Sequence, residues 1–285
     1  MQLPPTSLIV EAFRETVGPP FAVAVVVMLV ARLALTKSST GFAAVVALIA
    51  SLAVGNSTAS LNPDWWPTSR RFTWLPWLAI FGSVAGWVVH SLKWSSVGHT
   101  LWTVVAVVAV LRVVPKEFFA EPWWAVPAFV LLTAGVGFGL MHISERHGFL
   151  SAFILACSLM AAGVVVIHAH SKSLLDVATL GGMCLFGIAA VGAFTKSDVG
   201  PIFPGAAFLL TGTLLAGFYE TYSDVPTTAF VLPAVVPLLP LLGLLPVVDR
   251  MRPRWRYAVA LLPAMIVLGI AVALAMANET LAFGE

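Results

Sequence analysis

Apolar residues recur along this chain in ten blocks of roughly membrane-spanning length, and the blocks contain almost no charge. Hydrophobic residues make up 60% of the chain and charged residues 10%, and the mean hydropathy is +0.98. A soluble domain needs about a quarter of its residues charged to cover its surface. Because this chain has far fewer, most of its surface must face lipid, and the composition predicts an integral membrane protein.

Each apolar block is expected to be a helix, because a backbone in lipid must satisfy its own hydrogen bonds and no β-barrel alternation is present. The blocks are Phe21–Leu35, Gly41–Val54, Phe72–Val89, Leu101–Val114, Trp123–Met141, Phe149–Ile167, Val177–Phe194, Ile202–Tyr219, Ala229–Val248 and Tyr257–Met276. We therefore expect an all-α polytopic transmembrane helical bundle of about ten spans. The weakest block is 41–54, which either spans the bilayer or re-enters on the side from which it came.

The chain is expected to form a single integral membrane domain over residues 1–285, with the spans inside 20–276. Residues 1–19 are expected to lie on the membrane surface, since Ile9, Phe13 and Val17 share one helical face. Residues 277–285 are expected to form a short tail.

The connector at 249–256 fixes the expected orientation. It carries four arginines, Arg250, Arg252, Arg254 and Arg256. Because Lys and Arg concentrate in cytoplasmic loops, we expect this connector inside the cell and the chain in the cytoplasmic (inner) membrane. With ten spans both termini then lie outside. Ten spans also divide into two five-helix halves of opposite orientation, as in inverted-repeat transporters, although no internal sequence repeat is evident.

Composition and motifs disfavour several functional classes. A net charge of +2 is too small to predict a nucleic-acid partner. The apolar blocks carry no Lys, Asp or Glu near their middle, which disfavours proton pumps, voltage sensors and ion-coupled carriers. No recognised catalytic or cofactor-binding motif is present, so an enzyme is disfavoured and no cofactor is expected.

Two features mark a candidate substrate path. Thr211 and Thr213 flank Gly212 and place hydroxyls inside an apolar block. Pro233, Pro237 and Pro240 interrupt the next block, and a proline inside a helix removes a hydrogen-bond donor and bends the helix. The functional interpretation is a broken helix that lines a cavity, as in transporters. The alternative is a kinked packing helix, with each threonine hydroxyl bonded to a carbonyl of its own helix.

A cluster of histidines is the candidate metal site. His142, Glu145 and His147 lie close together in sequence, and His90 is expected at the same end of the bundle. Imidazole and carboxylate groups are suitable ligands for zinc and other transition metals. The alternative is a set of polar residues at the membrane interface.

The two cysteines are expected to be neighbours. Cys157 and Cys184 lie at similar depths in consecutive antiparallel blocks, so the pattern predicts adjacent thiols without a functional disulfide.

The favoured function is transport of a small or weakly polar substrate, with the lipid bilayer as the main partner. One alternative is a non-catalytic membrane subunit that packs against other subunits or against further copies of itself. The second alternative is a membrane enzyme that acts on a lipid-linked substrate at the histidine-bearing face.

Overall fold

The computed structural model describes residues 17–34, 40–58, 71–92, 95–113, 124–169, 171–220, 225–244 and 253–282, and these ranges are helical without strands. The α-helices are α1 (Gly18–Ala34), α2 (Thr40–Thr58), α3 (Leu75–Leu92), α4 (Ser95–Val113), α5 (Ala125–His168), α6 (Lys172–Thr195), α7 (Phe203–Glu220), α8 (Thr227–Val235) and α9 (Pro253–Ala282). Short 3₁₀ segments precede α3 and α7, and a longer one, Val236–Leu244, continues α8.

Five helical segments of the described ranges are long and apolar enough to cross a membrane. They are Leu75–Leu92, Gly148–His168, Lys172–Thr195, Gly200–Tyr219 and Tyr257–Ala277. Four further apolar helices are shorter: Gly18–Ala34, Gly41–Ser57, Pro127–Met141 and Thr227–Leu242. The prediction of an all-helical protein is therefore confirmed for the described ranges. Five segments, rather than about ten, are long and apolar enough to span a membrane. Helix α4, at 19 residues, is not among either group, and several of its residues lie outside those whose side chains the structure describes.

The surface of the bundle is compatible with embedding in a membrane. Large apolar side chains face outward on α1, α4 and α9, and Leu33 is 88% exposed. The buried polar side chains of the described residues are all serines and threonines, without a buried charge. This arrangement inverts the usual pattern of a soluble domain.

Helix α7 forms the centre of the bundle. In its apolar stretch 89% of the residues are buried, against 28% in α9. Gly205 on α7 allows a close approach of α3. A methyl group added at Gly82 of α3 would lie only 2.8 Å from the Cα of Gly205. Gly135 on α5 makes no comparable contact, since no described atom lies within 4 Å of a methyl group added there.

Helix α5 folds back on itself. At about 1.5 Å per residue, a straight helix of 44 residues would extend about 66 Å. Both of its ends nevertheless meet the same end of α7, because Phe129 packs on Leu215 and Val166 contacts the backbone position of Gly217. The chain therefore reverses between the first arm, Pro127–Met141, and the second arm, Gly148–His168.

Helix α2 runs in one direction along the bundle. A methyl group added at Gly41 would meet Pro201 beside the start of α7, whereas one at Gly55 would meet Leu180 and Pro20 deeper in the bundle. The helix thus progresses in one direction over its whole length of 19 residues.

The cysteines are not neighbours. The Cys184 Sγ lies 2.7 Å from the Ser51 Oγ in the main core, whereas Cys157 packs in a separate cluster with Ile154 and Ala264. The two helices share depth as expected, but rotation about the helix axes points the thiols at different neighbours. The prediction of adjacent thiols is therefore wrong.

Three predictions concern the ends of the chain and its arginine connector. Residues 1–16 and 245–252 lie outside the described residues, so the surface helix at the N-terminus and most of the arginine connector stay predictions. Helix α9 begins at Pro253 and continues to Ala282, beyond the predicted last span and into the predicted tail.

Candidate functional site

A cavity of about 80 Å³ lies between the first arm of α5, the C-terminal half of α7 and α8. We call it the arm cavity. Apolar and aromatic side chains make up most of its lining, and two threonines add hydroxyls: Trp124, Ala128, Phe129, Leu132, Thr211, Leu214, Leu215, Phe218, Thr227, Phe230, Val231 and Ala234. Ligand sites in proteins commonly combine such apolar walls with a few polar groups.

The aromatic walls are held by packing between helices. The rings of Phe218 and Phe230 meet edge to face with centroids 5.8 Å apart, which ties α7 to α8. Phe129 is 4% exposed and packs against Leu215 and Tyr219. Trp124 and Val231 are 46% and 39% exposed, so the cavity reaches the outer surface of the bundle beside them.

Two threonine hydroxyls meet beside this cavity, in the packed contact between the first arm and α7, and we call them the hydroxyl pair. The Oγ1 atoms of Thr133 on the first arm and Thr211 on α7 are 2.7 Å apart. Each also lies within hydrogen-bond distance of a carbonyl oxygen of its own helix, at 2.8 Å for Phe129 and 2.7 Å for Ala207. Both threonines are buried, and Thr211 lines the cavity.

Thr213 does not share this site. It is fully buried, and its hydroxyl donates to the carbonyl oxygen of Leu209 at 2.7 Å. Residues two apart on an α-helix point about 200° apart, so Thr211 and Thr213 cannot line one cavity. The structure therefore separates two residues that the sequence analysis grouped.

The prolines change the helix rather than line the cavity. Pro233, Pro237 and Pro240 are buried, and none is among the described lining residues. Because each lacks an N–H, the carbonyl oxygens of Ala229, Pro233 and Val236 have no donor four residues ahead. The α-helix ends at Val235 and continues as a 3₁₀ segment, so block nine is interrupted as predicted. The α8 side of the cavity is formed by residues that precede the end of the α-helix at Val235.

Of the four candidate metal residues, the structure describes the side chain of His90 alone. His90 lies in the last turn of α3, where its Nε2 is 2.9 Å from Oδ2 of Asp198. The side chains of His142, Glu145 and His147 lie outside the described residues. Among the side chains that the structure describes, no group of three metal-ligating residues is found.

Asp198 is a functional candidate that the sequence analysis missed. Burial alone raises the pKa of its carboxyl, but the bonds from His90 and from the backbone N–H of Gly200 outweigh burial and lower that pKa. The Gly200 bond is 2.8 Å long. An Asp two residues before a Gly-Pro pair is a recognisable capping signal. The sequence analysis considered charged residues inside the apolar blocks, and Asp198 lies between two blocks.

The sequence analysis also did not group Thr133, Phe129 and Phe230 into one site. Thr133 is visible in the sequence as a hydroxyl inside an apolar block, but nothing in the sequence pairs it with Thr211 across 78 positions. The pairing depends on the reversal of α5, which sets its first arm antiparallel to α7.

The chain matches no protein-family model and no curated protein, so its activity has to be argued from its own geometry.

Proposed function

We propose that the chain is a polytopic inner-membrane protein in which the arm cavity receives a small, uncharged, weakly polar substrate for transport. The single observation that carries this proposal is a cavity bounded by α7 and by the proline-interrupted α8. A broken helix beside a cavity is a recurring feature of secondary transporters. The absence of buried charge among the described residues favours a neutral substrate over an ion.

The proposal includes about ten crossings. Contacts support the shorter helices as crossings, because each runs antiparallel to its neighbour. Arg112, at the end of α4, lies over the ring of Trp74 at the start of α3, with the guanidinium carbon 4.7 Å from the ring centroid. At the opposite ends of the same helices, a methyl group added at Gly98 would meet Val89. The two arms of α5 are likewise antiparallel, and each accounts for one crossing.

Orientation follows from the arginine connector. Tyr257 near the start of α9 packs on Phe149, and Phe149 lies near Val199 at the start of α7. The arginines around the start of α9, with Arg254 and Arg256 in its first turn, therefore favour a cytoplasmic location for that end of the bundle. The arm cavity lies at the other end of α7, so in this orientation it opens toward the outside.

Transport is tested with purified protein in liposomes, by stopped-flow light scattering during osmotic uptake of glycerol, urea and 1,2-propanediol. We expect faster uptake of at least one solute than in protein-free liposomes. Thr211→Val removes a hydroxyl beside the cavity, and Ala128→Phe fills the cavity. Both changes should lower the protein-dependent rate of uptake several-fold.

Thr213→Val is the matched control, since it removes an equally buried hydroxyl from the same helix but away from the cavity. It should leave uptake unchanged. If no solute shows uptake that depends on the cavity, the transport proposal is wrong. Stoichiometric co-purification of partner proteins would then favour the membrane-subunit alternative.

A further inference from the structure

We propose that the arm cavity holds a short stretch of a phospholipid acyl chain, which enters it from the surrounding bilayer between the first arm of α5 and α8. This occupant is supplied by the membrane itself, so its presence does not depend on whether the protein carries a solute. It requires only that these helices lie in a bilayer and that the cavity is open to it.

The wall of the cavity is apolar. All of its lining side chains apart from Thr211 and Thr227 are apolar or aromatic, and nearly all of the surface that faces the cavity is apolar. The Thr211 hydroxyl lies 2.7 Å from both the carbonyl oxygen of Ala207 and the hydroxyl of Thr133, in the contact between the helices. Thr227 is exposed at the start of α8. The wall therefore offers an occupant dispersion contacts and few hydrogen bonds.

This wall favours hydrocarbon over the other occupants that a membrane makes available. Water needs polar partners, and cavities lined by apolar residues stay dry. A charged group would pay a large desolvation penalty there. An empty cavity would lose the dispersion contacts that a packed neighbour provides. An acyl chain supplies those contacts and breaks no hydrogen bond when it moves in from the bilayer core.

The cavity opens on the outer, apolar surface of the bundle. Trp124 and Val231, on the two helices that border the opening, are 46% and 39% exposed. Leu131, one turn along the first arm from Ala128, lies outside the cavity and is 72% exposed. The cavity is thus continuous with the surface that a bilayer would cover. An acyl chain can enter sideways from the hydrocarbon layer without passing through water.

Size favours part of an acyl chain over a whole molecule. A dry cavity of about 150 Å³ accommodates the six carbons of benzene. The arm cavity, at about 80 Å³, therefore has room for about three methylene groups. The rest of the occupant must stay outside, which the opening beside Trp124 and Val231 allows. A bilayer lipid meets this requirement because its acyl chain is flexible and the remainder of the molecule is already held in the membrane.

The test is photolabelling of the full-length protein in phosphatidylcholine nanodiscs that contain one of two probes. One probe is a phosphatidylcholine with a diazirine in the middle of an acyl chain, and the other carries the diazirine in its headgroup. Adducts are located by mass spectrometry. Leu214 and Phe230 report on the cavity, since both line it and each is only 3% exposed. Val108, 60% exposed on α4, reports on bulk lipid. We expect the acyl-chain probe to label all three residues and the headgroup probe to leave the two cavity reporters unlabelled.

Two variants fill the cavity from opposite sides. Ala128→Phe on the first arm and Ala234→Leu on α8 should each lower labelling of the cavity reporters, relative to Val108, about fivefold or more, because the added atoms take the space of the acyl chain. Leu131→Phe is the matched control, since it adds bulk to the exposed face of the same arm outside the cavity. It should leave the ratio unchanged.

Thr211→Val separates a hydrocarbon occupant from a hydrogen-bonded one. It removes the hydroxyl at nearly constant volume and should leave labelling by the acyl-chain probe unchanged. Wild-type protein that is labelled at Val108 but at neither Leu214 nor Phe230 would overturn the proposal. So would labelling of these two residues that persists in both filling variants, or that falls in Thr211→Val.

Photolabelling and uptake by liposomes fail independently. Adducts on the cavity reporters without solute uptake would leave the acyl chain in place and contradict transport. Uptake that depends on the cavity, without those adducts, would support transport and contradict the acyl chain as an occupant.

Discussion

Single side chains along the α7 segment join helices through hydrogen bonds. Thr133 and Thr211 join α5 to the middle of α7, and Asp198 joins α3 to the start of the α7 segment. Thr211 was a site candidate from sequence alone, because a hydroxyl inside an apolar block is conspicuous. Its partner was not predictable, since pairing depends on how neighbouring helices rotate.

The Asp198 pair predicts a dependence of stability on pH. A carboxyl with a lowered pKa stabilises the fold above its unfolded pKa, and this contribution is lost as pH falls through the folded value. We expect the pair to contribute less than about 1 kcal/mol at pH 7, because both side chains are partly exposed. The contribution should begin to fall below about pH 4 and should be lost once the pH drops below the lowered pKa of the folded protein.

Thermal unfolding of Asp198→Asn and wild type in detergent, at pH 7 and pH 3, measures this contribution. Asn keeps an acceptor for the Gly200 N–H, so the comparison isolates the charge. Asp198→Ala removes both interactions and should be less stable than Asp198→Asn by about 1 kcal/mol. A difference between wild type and Asp198→Asn that stays the same at both pH values would contradict the assignment.

At the scale of helices, contact between α3 and α7 depends on glycine. A methyl group at Gly205 would overlap the Ala79 carbonyl oxygen and the Ser83 side chain, and the backbone carbonyl cannot move away without shifting the helix. Close backbone approach of this kind is a main source of helix association in lipid. The partner of Gly82 is not predictable from the sequence, because glycine spacing alone does not say which helix packs against it.

The glycine contact predicts a large difference between two similar changes. Gly205→Ala should destabilise the protein by about 3 kcal/mol or more, because a backbone clash cannot relax cheaply. Gly135→Ala is the matched control, since none of the described atoms lies within 4 Å of the added methyl group. It should be neutral or stabilising by up to about 1 kcal/mol. Melting of both variants by fluorescence-detected size-exclusion chromatography provides the comparison, and equal stability would contradict the α3–α7 contact.

The reversal of α5 predicts a pattern of disulfide cross-links. In a background without Cys157 and Cys184, the pairs Thr133→Cys with Thr211→Cys and Val166→Cys with Gly217→Cys should both oxidise. A Cβ at Gly217 would lie 3.4 Å from that of Val166, close to disulfide geometry. Mobility on non-reducing gels reports the bond.

A straight α5 cannot satisfy both pairs, so failure of one of them would contradict the reversal. The control pair, Thr133→Cys with Gly217→Cys, should not cross-link. Position 217 lies six residues beyond 211, or about 9 Å further along α7.

At the scale of the whole molecule, hydropathy predicted the helical class and the approximate position of every block within the described ranges. It did not predict how many segments satisfy the length requirement, because Pro237 and Pro240 convert the end of block nine to a 3₁₀ segment and several other blocks are short. Nor did hydropathy reveal which helix is central. Burial of α7 follows from tertiary contacts, which average hydropathy does not encode.

Lipid contact is predicted for the outward faces of α4 and α9. Spin labels at Val108 and Ile266, which are 60% and 54% exposed, should be accessible to oxygen but not to a water-soluble nickel reagent. A label at Lys172, at the start of α6, serves as the water-exposed control. Equal access of the nickel reagent to all three positions would contradict a bilayer around these helices.

The arginine connector makes the orientation testable. A cysteine at Met251, in the background without native cysteines, should react with a membrane-impermeant maleimide only after the cells are permeabilised. A cysteine near either terminus should react in intact cells. Labelling of the connector from outside would reverse the assignment.

The position of α7 also constrains how the protein is made. The helix that contacts α3, α4, α5, α6 and α8 is synthesised only after most of these neighbours. If the bundle assembles in a bilayer, as proposed, lipid must first cover the faces of the earlier helices that later contact α7, including the α3 face at Gly82. Final assembly would then exchange lipid for protein along α7, and the bundle would close only after this helix is made.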